Sequence, residues 1–138
     1  PGRPERADRL PLDELLPQVD ALTLHCPLNE YTRHMLGARE LALLKPNALV
    51  VNTARGGLID EQALADALRG GHLGGAATDV LSVEPPVNGN PLLEPGIPRL
   101  IITPHSAWGA VESRQRIVGQ LSENAQAFFA GQPRRVVS

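Results

Sequence analysis

Apolar residues along the chain gather into four short runs separated by stretches of helical spacing. The first ten residues, PGRPERADRL, are polar and proline-rich and read as a loop, and LPLDELLPQ then allows one short helix with acidic residues in its first turn. DALTLHC has strand character. ARELALLKP places Leu41 and Leu44 at helical spacing before Pro46, which lacks an amide hydrogen and stops the helix. NALVVNT is nearly all apolar, which predicts a parallel strand buried on both faces. Asp60 is placed to cap a helix through DEQALADALRG, with Leu64, Ala67 and Leu68 on one face and Gly70 supplying a left-handed stop. GGAATDVL and RLIITPH are the third and fourth strands. From about Ala110 to Ala130, Val111, Val118 and Ala125, with Leu121 and Phe128 interleaved, form the stripe of one long amphipathic helix ending at Gly131. Packing against the sheet is the first reading of that stripe, and a domain-bridging or dimer face the second. After Pro133 the RRVV tail is expected to run extended, as a strand in a neighbouring element.

Alternating strands and helices predict an α/β fold with right-handed crossovers and a parallel, doubly wound sheet. In such sheets ligands bind beyond the carboxyl ends of the strands. The loops there are HCPLNEYT, NTARGGLID, DVLSVEPP and TPHSAW, all rich in reactive side chains and expected to converge on one crevice.

Composition narrows the classes. A chain of 138 residues with 42% hydrophobic content suits one modest core. A net charge of −2 and 3% aromatic residues give neither a basic footprint nor a stacking platform, so nucleic acid is not an expected partner. No apolar run approaches the roughly 18 residues of a membrane helix, and no membrane partner is expected. The start at Pro1 resembles no signal or transit peptide. The single Cys26 fits a reducing compartment, and the cytoplasm is the expected location.

Three pieces, NTARGGLIDEQALADAL, TDVLSVEPP and TPHSAW, stand in the order and spacing of a known family. The sequence resembles the D-isomer-specific 2-hydroxyacid dehydrogenases from roughly Leu12 to Val137. NGNPLL and the AWGAVESRQR following His105 look most like the glycerate dehydrogenases, also called hydroxypyruvate reductases, within it. The resemblance implies the C-terminal half of a Rossmann-type sheet followed by a long helix. It divides the chain into a partial dinucleotide-binding domain at 1–108 and a helix with tail at 109–138 that returns toward a substrate domain. It further implies an NAD- or NADP-dependent oxidoreductase acting on a small 2-oxo or D-2-hydroxy acid, hydroxypyruvate and D-glycerate first among them, working as a homodimer of the full-length enzyme.

The chemistry explains the residue types. Reducing a 2-oxo acid needs a cation that grips the carboxylate and polarises the ketone, and Arg offers a fixed fork of donors. Arg55, between VVNTA and Gly56-Gly57, is the candidate; its plainer alternative is a surface ion pair. The proton that accompanies hydride can come from His near neutral pH. His105 is the candidate donor, and without the motif it would read as a capping or packing residue. The resemblance makes Glu84 the acid that orients the imidazole and raises its pKa, although a Glu before Pro85-Pro86 would otherwise be an exposed loop charge. It also implies that Asp79 bonds the nicotinamide carboxamide, where a turn cap is the alternative. Cys26, Pro27, Thr32, Thr53, Ala54 and Ala107, with Arg55 and His105, are expected to line the cofactor, and His25 to shape the pocket. Cys26 has no cationic neighbour fixed by sequence, so it reads as a small apolar contact rather than a nucleophile. No metal is expected.

One departure qualifies these expectations. The Gly-rich turn that cradles a dinucleotide pyrophosphate, and the residue that selects NAD or NADP, have no counterpart here. In GGHLGG the glycines follow a helix and precede a strand, the reverse of what phosphate binding requires. The resemblance therefore implies a piece of a longer enzyme, with its first strand exposing an apolar edge if isolated. A dinucleotide-sensing, corepressor-like binding protein on the same scaffold is the alternative function, and phosphoglycerate, lactate, glyoxylate, formate or phosphite dehydrogenases are the alternative activities.

Overall fold

A computed structural model describes residues 9–136. The loop expected over the first ten residues therefore lies mostly outside the described residues, as does Val137. The chain divides into two units, one ending at Pro104 and one beginning at His105.

The first unit opens with a single helical turn, α1 (Leu12–Leu15), continued as a 3-10 turn through Gln18. It then alternates β1 (Ala21–Leu24), α2 (Ala38–Leu43), β2 (Leu49–Asn52), α3 (Glu61–Arg69), β3 (Gly75–Thr78) and β4 (Leu100–Ile102). The strands form one sheet in the order β1-β2-β3-β4, with every pair parallel. The register aligns Leu22, Val50, Ala76 and Leu100 in one row and Leu24, Asn52, Thr78 and Ile102 two residues on. Side chains alternate across a strand, so these two rows share one face of the sheet. Crossovers that all run one way along the sheet, with the usual right hand, set their helices on a single face. Accordingly, Leu41 and Leu44 of the α2 region and Leu64, Ala65 and Leu68 of α3 join Leu22, Leu24 and Val50 in one core. Burying a leucine of this kind stabilises the fold by about 2 kcal/mol.

The sequence expectation that β2 is buried on both faces is therefore half met. Val50 and Asn52 are buried, whereas Leu49 is 48% exposed and Val51 is half-buried. The cause is the one-sided set of crossovers, which leaves the row Thr23, Val51, Ala77 and Ile101 on the other face. Helix ends show a smaller correction. Asp60 caps α3 as expected, its carboxylate accepting from the Ala63 amide at 3.0 Å. Gly70, however, is right-handed at φ −68°, and the left-handed residue is Gly71 at φ 75°. The α3 helix keeps one more helical residue because the Gly70 amide still reaches the Asp66 carbonyl at 2.8 Å.

The second unit is a 3-10 turn at Ala107–Gly109 followed by α4 (Val111–Phe129), with Gly131 in the left-handed region at φ 71°. Arg135 folds the tail back on the helix, donating to Glu123 and Asn124, both at 2.8 Å. Residues 130–136 form no strand within this chain. The stripe of α4 is present, with Val111, Val118, Leu121 and Phe128 exposed and no residue of the helix buried.

Candidate functional site

Three of the loops that follow the strands are tied to one another at the carboxyl edge of the sheet. After β1, residues 25–36 return to the loop after β2: the His34 amide donates to the Gly57 carbonyl at 2.8 Å and the Asp60 amide to Leu36 at 3.0 Å. A bridge pairs Leu36 with Ile59. The loop after β2 meets the loop after β3 through Gly56, where an added Cβ would lie 2.0 Å from the Leu81 carbonyl carbon and 2.3 Å from the Ser82 nitrogen. Only a residue without a side chain lets the two backbones approach this closely.

Buried Asn52, the last residue of β2, fixes the turn that carries Arg55. Its amide group donates to the Arg55 carbonyl at 2.9 Å, and its side-chain oxygen accepts from the Ala54 amide at 3.1 Å. Arg55 itself is exposed, and its guanidinium donates back to the Ala54 carbonyl at 2.7 Å. Thr53 beside it is exposed and Ala54 half-buried.

The loop after β3 carries the other two candidates of this unit. Asp79 is buried, its amide donates to the Asn52 carbonyl at 2.9 Å, and its carboxylate accepts from the Thr103 hydroxyl. Glu84 is exposed and accepts from the Leu81 amide at 2.7 Å, which closes a small turn ahead of a cis Glu84-Pro85 bond. That turn is gripped from outside by Glu61, the first residue of α3. Glu61 accepts from the Ser82 amide at 2.7 Å, from the Ser82 hydroxyl, and from the Asn90 side chain at 2.8 Å.

After β1, the Thr32 hydroxyl donates to the Pro27 carbonyl at 2.6 Å and accepts from the Asn29 amide at 2.9 Å, so Thr32 shapes its own loop. Cys26 is half-buried with its sulfur 3.6 Å from that of Met35, in the packing environment expected of it. His25 is exposed and pairs with Thr23 at 2.9 Å.

His105 and Ala107 stand in the second unit, both exposed. His105 has a left-handed backbone at φ 53°, uncommon outside glycine and costly by about 1 kcal/mol. Its carbonyl accepts from the Trp108 indole at 2.7 Å, which fixes the start of the Ala107–Gly109 turn.

Among the expected residues, the structure thus groups Arg55, Asp79 and Glu84 on linked loops of one sheet edge. Sequence reasoning missed three supports, Asn52, Glu61 and Thr103. Asn52 was hidden at the end of an apolar run. Glu61 was readable only as a favourable charge in a first helical turn, because its partners lie 21 and 29 positions away. The three loop ends offer backbone and carboxylate groups suited to the amide-bearing end of a dinucleotide. A phosphate cradle is a different matter: the glycines at 74 and 75 lie at the amino edge, where a Cβ on Gly74 would sit 2.2 Å from the Asn47 oxygen.

Residues 3–107 match the family described as D-isomer specific 2-hydroxyacid dehydrogenase, NAD binding domain. The chain belongs to this family. The glycerate dehydrogenase of Methylorubrum extorquens is 48% identical over 126 residues, which cover 91% of this chain and 40% of that enzyme. Among solved structures, an acyclic imino acid reductase in complex with NADPH and D-Arg superposes with a TM-score of 0.80 at 32% identity, covering 97% of this chain and 44% of that one. The D-lactate dehydrogenase of Aquifex aeolicus, complexed with NAD and lactic acid, gives a TM-score of 0.74 at 32% identity, covering 88% of this chain and 40% of that one. The chain spans about two fifths of the length of these relatives. As a member of the 2-hydroxyacid dehydrogenase family it contributes an NAD-binding α/β sheet. Among the described residues no helix is long and apolar enough to cross a membrane.

Proposed function

We propose that the full-length protein is an NAD(P)-dependent oxidoreductase that interconverts a small 2-oxo acid and its D-2-hydroxy acid, with hydroxypyruvate and D-glycerate as the first pair to test. The observation that carries this reading is the docking of the loop bearing Arg55 onto the loop bearing Glu84, through Gly56, at the carboxyl edge of a sheet with this family's sequence. When bound, the nicotinamide supplies or accepts the hydride. Arg55 supplies a permanent positive charge that grips the substrate carboxylate and draws electron density from the neighbouring ketone. His105 donates the proton that neutralises the new alkoxide in reduction and takes it back in oxidation. Glu84 is the acid that favours the protonated imidazole. Asp79, held by Thr103 and by the backbone bond to Asn52, offers a fixed acceptor for an amide hydrogen.

The glycerate dehydrogenase relative supports hydroxypyruvate ahead of other 2-oxo acids. In this reading the enzyme is a cytoplasmic homodimer. The test is a panel of 2-oxo acids, hydroxypyruvate and glyoxylate included, assayed on the full-length protein with NADH and with NADPH. Reduction of hydroxypyruvate well ahead of the rest is the expected result. Tight NADH binding with turnover of none of them would overturn the reading in favour of a dinucleotide-sensing binding protein.

A further inference from the structure

We infer that Glu61 is a positioning residue for Glu84, a charged clamp that sets the loop after β3 against the loop that carries Arg55. Glu61 opens α3, whose preceding segment 53–60 holds Arg55, so its carboxylate is anchored to the Arg55 side of the site. All three donors it receives come from the far side, two from Ser82 and one from Asn90. Ser82 lies between Leu81, whose amide is bonded to the Glu84 carboxylate, and Glu84 itself. A second contact constrains the same residue pair independently, the backbone of Gly56 resting on Leu81 and Ser82. Gly56 forbids the loops to come closer, and Glu61 stops them from parting. A carboxylate suits this task because it presents about four acceptor sites and no donor, and hydrogen bonds to a charged group are about twice as strong as neutral ones. Two of its bonds end on a backbone amide and a hydroxyl of one residue, which fixes orientation as well as distance.

The inference rests on the proposed role of Glu84 as the acid supporting a protonated donor, and its test separates the two. In the full-length protein, Glu61→Ala removes the clamp and Glu61→Gln keeps the shape while exchanging one acceptor for a donor. Hydrogen exchange reads the clamp without any assay of activity. Faster exchange is expected at the Ser82 amide and also at the Leu81 amide, which reports the bond to Glu84. The second readout is the pH profile of kcat/KM for reduction, which falls on the alkaline side as the proton donor deprotonates. Its midpoint should move to lower pH by about one unit in Glu61→Ala, the low end of what a neighbouring carboxylate is worth. Glu84→Gln should move it in the same direction, the double variant no further than Glu84→Gln alone, and Glu61→Gln should fall between Glu61→Ala and the parent. If Leu81 stays protected and the alkaline limb stays in place in both Glu61 variants while Glu84→Gln moves it, Glu61 does not position Glu84. If Glu84→Gln leaves the limb in place, the reading of Glu84 itself fails, and the Leu81 exchange alone then decides whether Glu61 holds it.

Discussion

At position 56 there is room for a hydrogen atom and nothing larger. A methyl group there would lie 2.0 Å from the carbonyl carbon of Leu81, so Gly56→Ala has to push two backbone segments apart. Overpacking of this kind destabilises by about 1–3 kcal/mol, and a drop of that size is expected in urea unfolding of the full-length protein, with loss of kcat/KM as Arg55 and Glu84 separate. An unfolding midpoint equal to that of the parent would mean that the loops part freely. His105 predicts a different pattern. Replacing it with Ala should lower the reduction rate roughly 100-fold, as loss of a general acid does, with the unfolding midpoint little changed. An unchanged rate would remove His105 from the chemistry. Arg55, Glu84 and His105 became candidates through short motifs just after strands and through the family resemblance those motifs carry, which alone singles out Glu84. Asn52 and Glu61 were not, because what matters about each is a bond to a residue distant in sequence or a turn whose path no local pattern reveals.

Between elements, an exposed ion pair adds to the apolar packing of α1 and α2 in one core. Arg39 reaches Asp13 at 2.8 Å and Glu40 at 2.7 Å. The hydrogen bond from Arg39 holds the Asp13 carboxyl below its ordinary 3.8. Glu40 is held below 4.5 chiefly by backbone amides, its own and that of Gly37, to which its carboxylate binds at 3.0 Å, and to a lesser degree by Arg39. Both folded values are depressed, so the contribution is full above the unfolded values and fades as the pH falls through the folded ones. Stability should therefore decline as the pH falls below the unfolded values and through the lower folded ones, and Arg39→Ala should flatten that decline, mostly through Asp13. Equal acid slopes in the two proteins, followed by unfolding midpoints, would show that the pairs contribute nothing. The elements themselves were readable from apolar runs and from Asp60, yet each strand is shorter than its run. NALVVNT contributes Leu49–Asn52 alone, because Asn47 and Ala48 are still in the turn before the strand, Asn47 at φ 66°, and Thr53 already belongs to the loop after it. The stop of α3 moved from Gly70 to Gly71 for a similar reason: either glycine fits the pattern, and the hydrogen bond to Asp66 decides.

Over the whole molecule, the most consequential surface is the sheet face opposite α2 and α3. Leu49 is 48% and Ile101 65% exposed there, and with Val51, Ala77 and Arg99 they line an open hollow of about 280 Å³. Contiguous apolar surface of this kind draws partners or self-association. These 138 residues produced alone are expected to bind a hydrophobic dye and to self-associate, and Leu49→Gln with Ile101→Gln should suppress both, as read by dye fluorescence and light scattering. A dye-silent, monodisperse parent chain would contradict this. The apolar pattern of β2 announced a strand buried on both faces, whereas Leu49 on one of them is 48% exposed.

The two ends of β3 rest on glycines, Gly74 against Asn47 at the amino edge and Gly56 against Leu81 at the carboxyl edge. The stretch from 74 to 81 is thereby a ruler of fixed length. An inserted or deleted residue within it cannot be absorbed by sliding, since seating one end would unseat the other. Homologues that differ in length should place their insertions farther on, around Gly89 and Gly96, where nothing approaches within 4 Å of a would-be side chain.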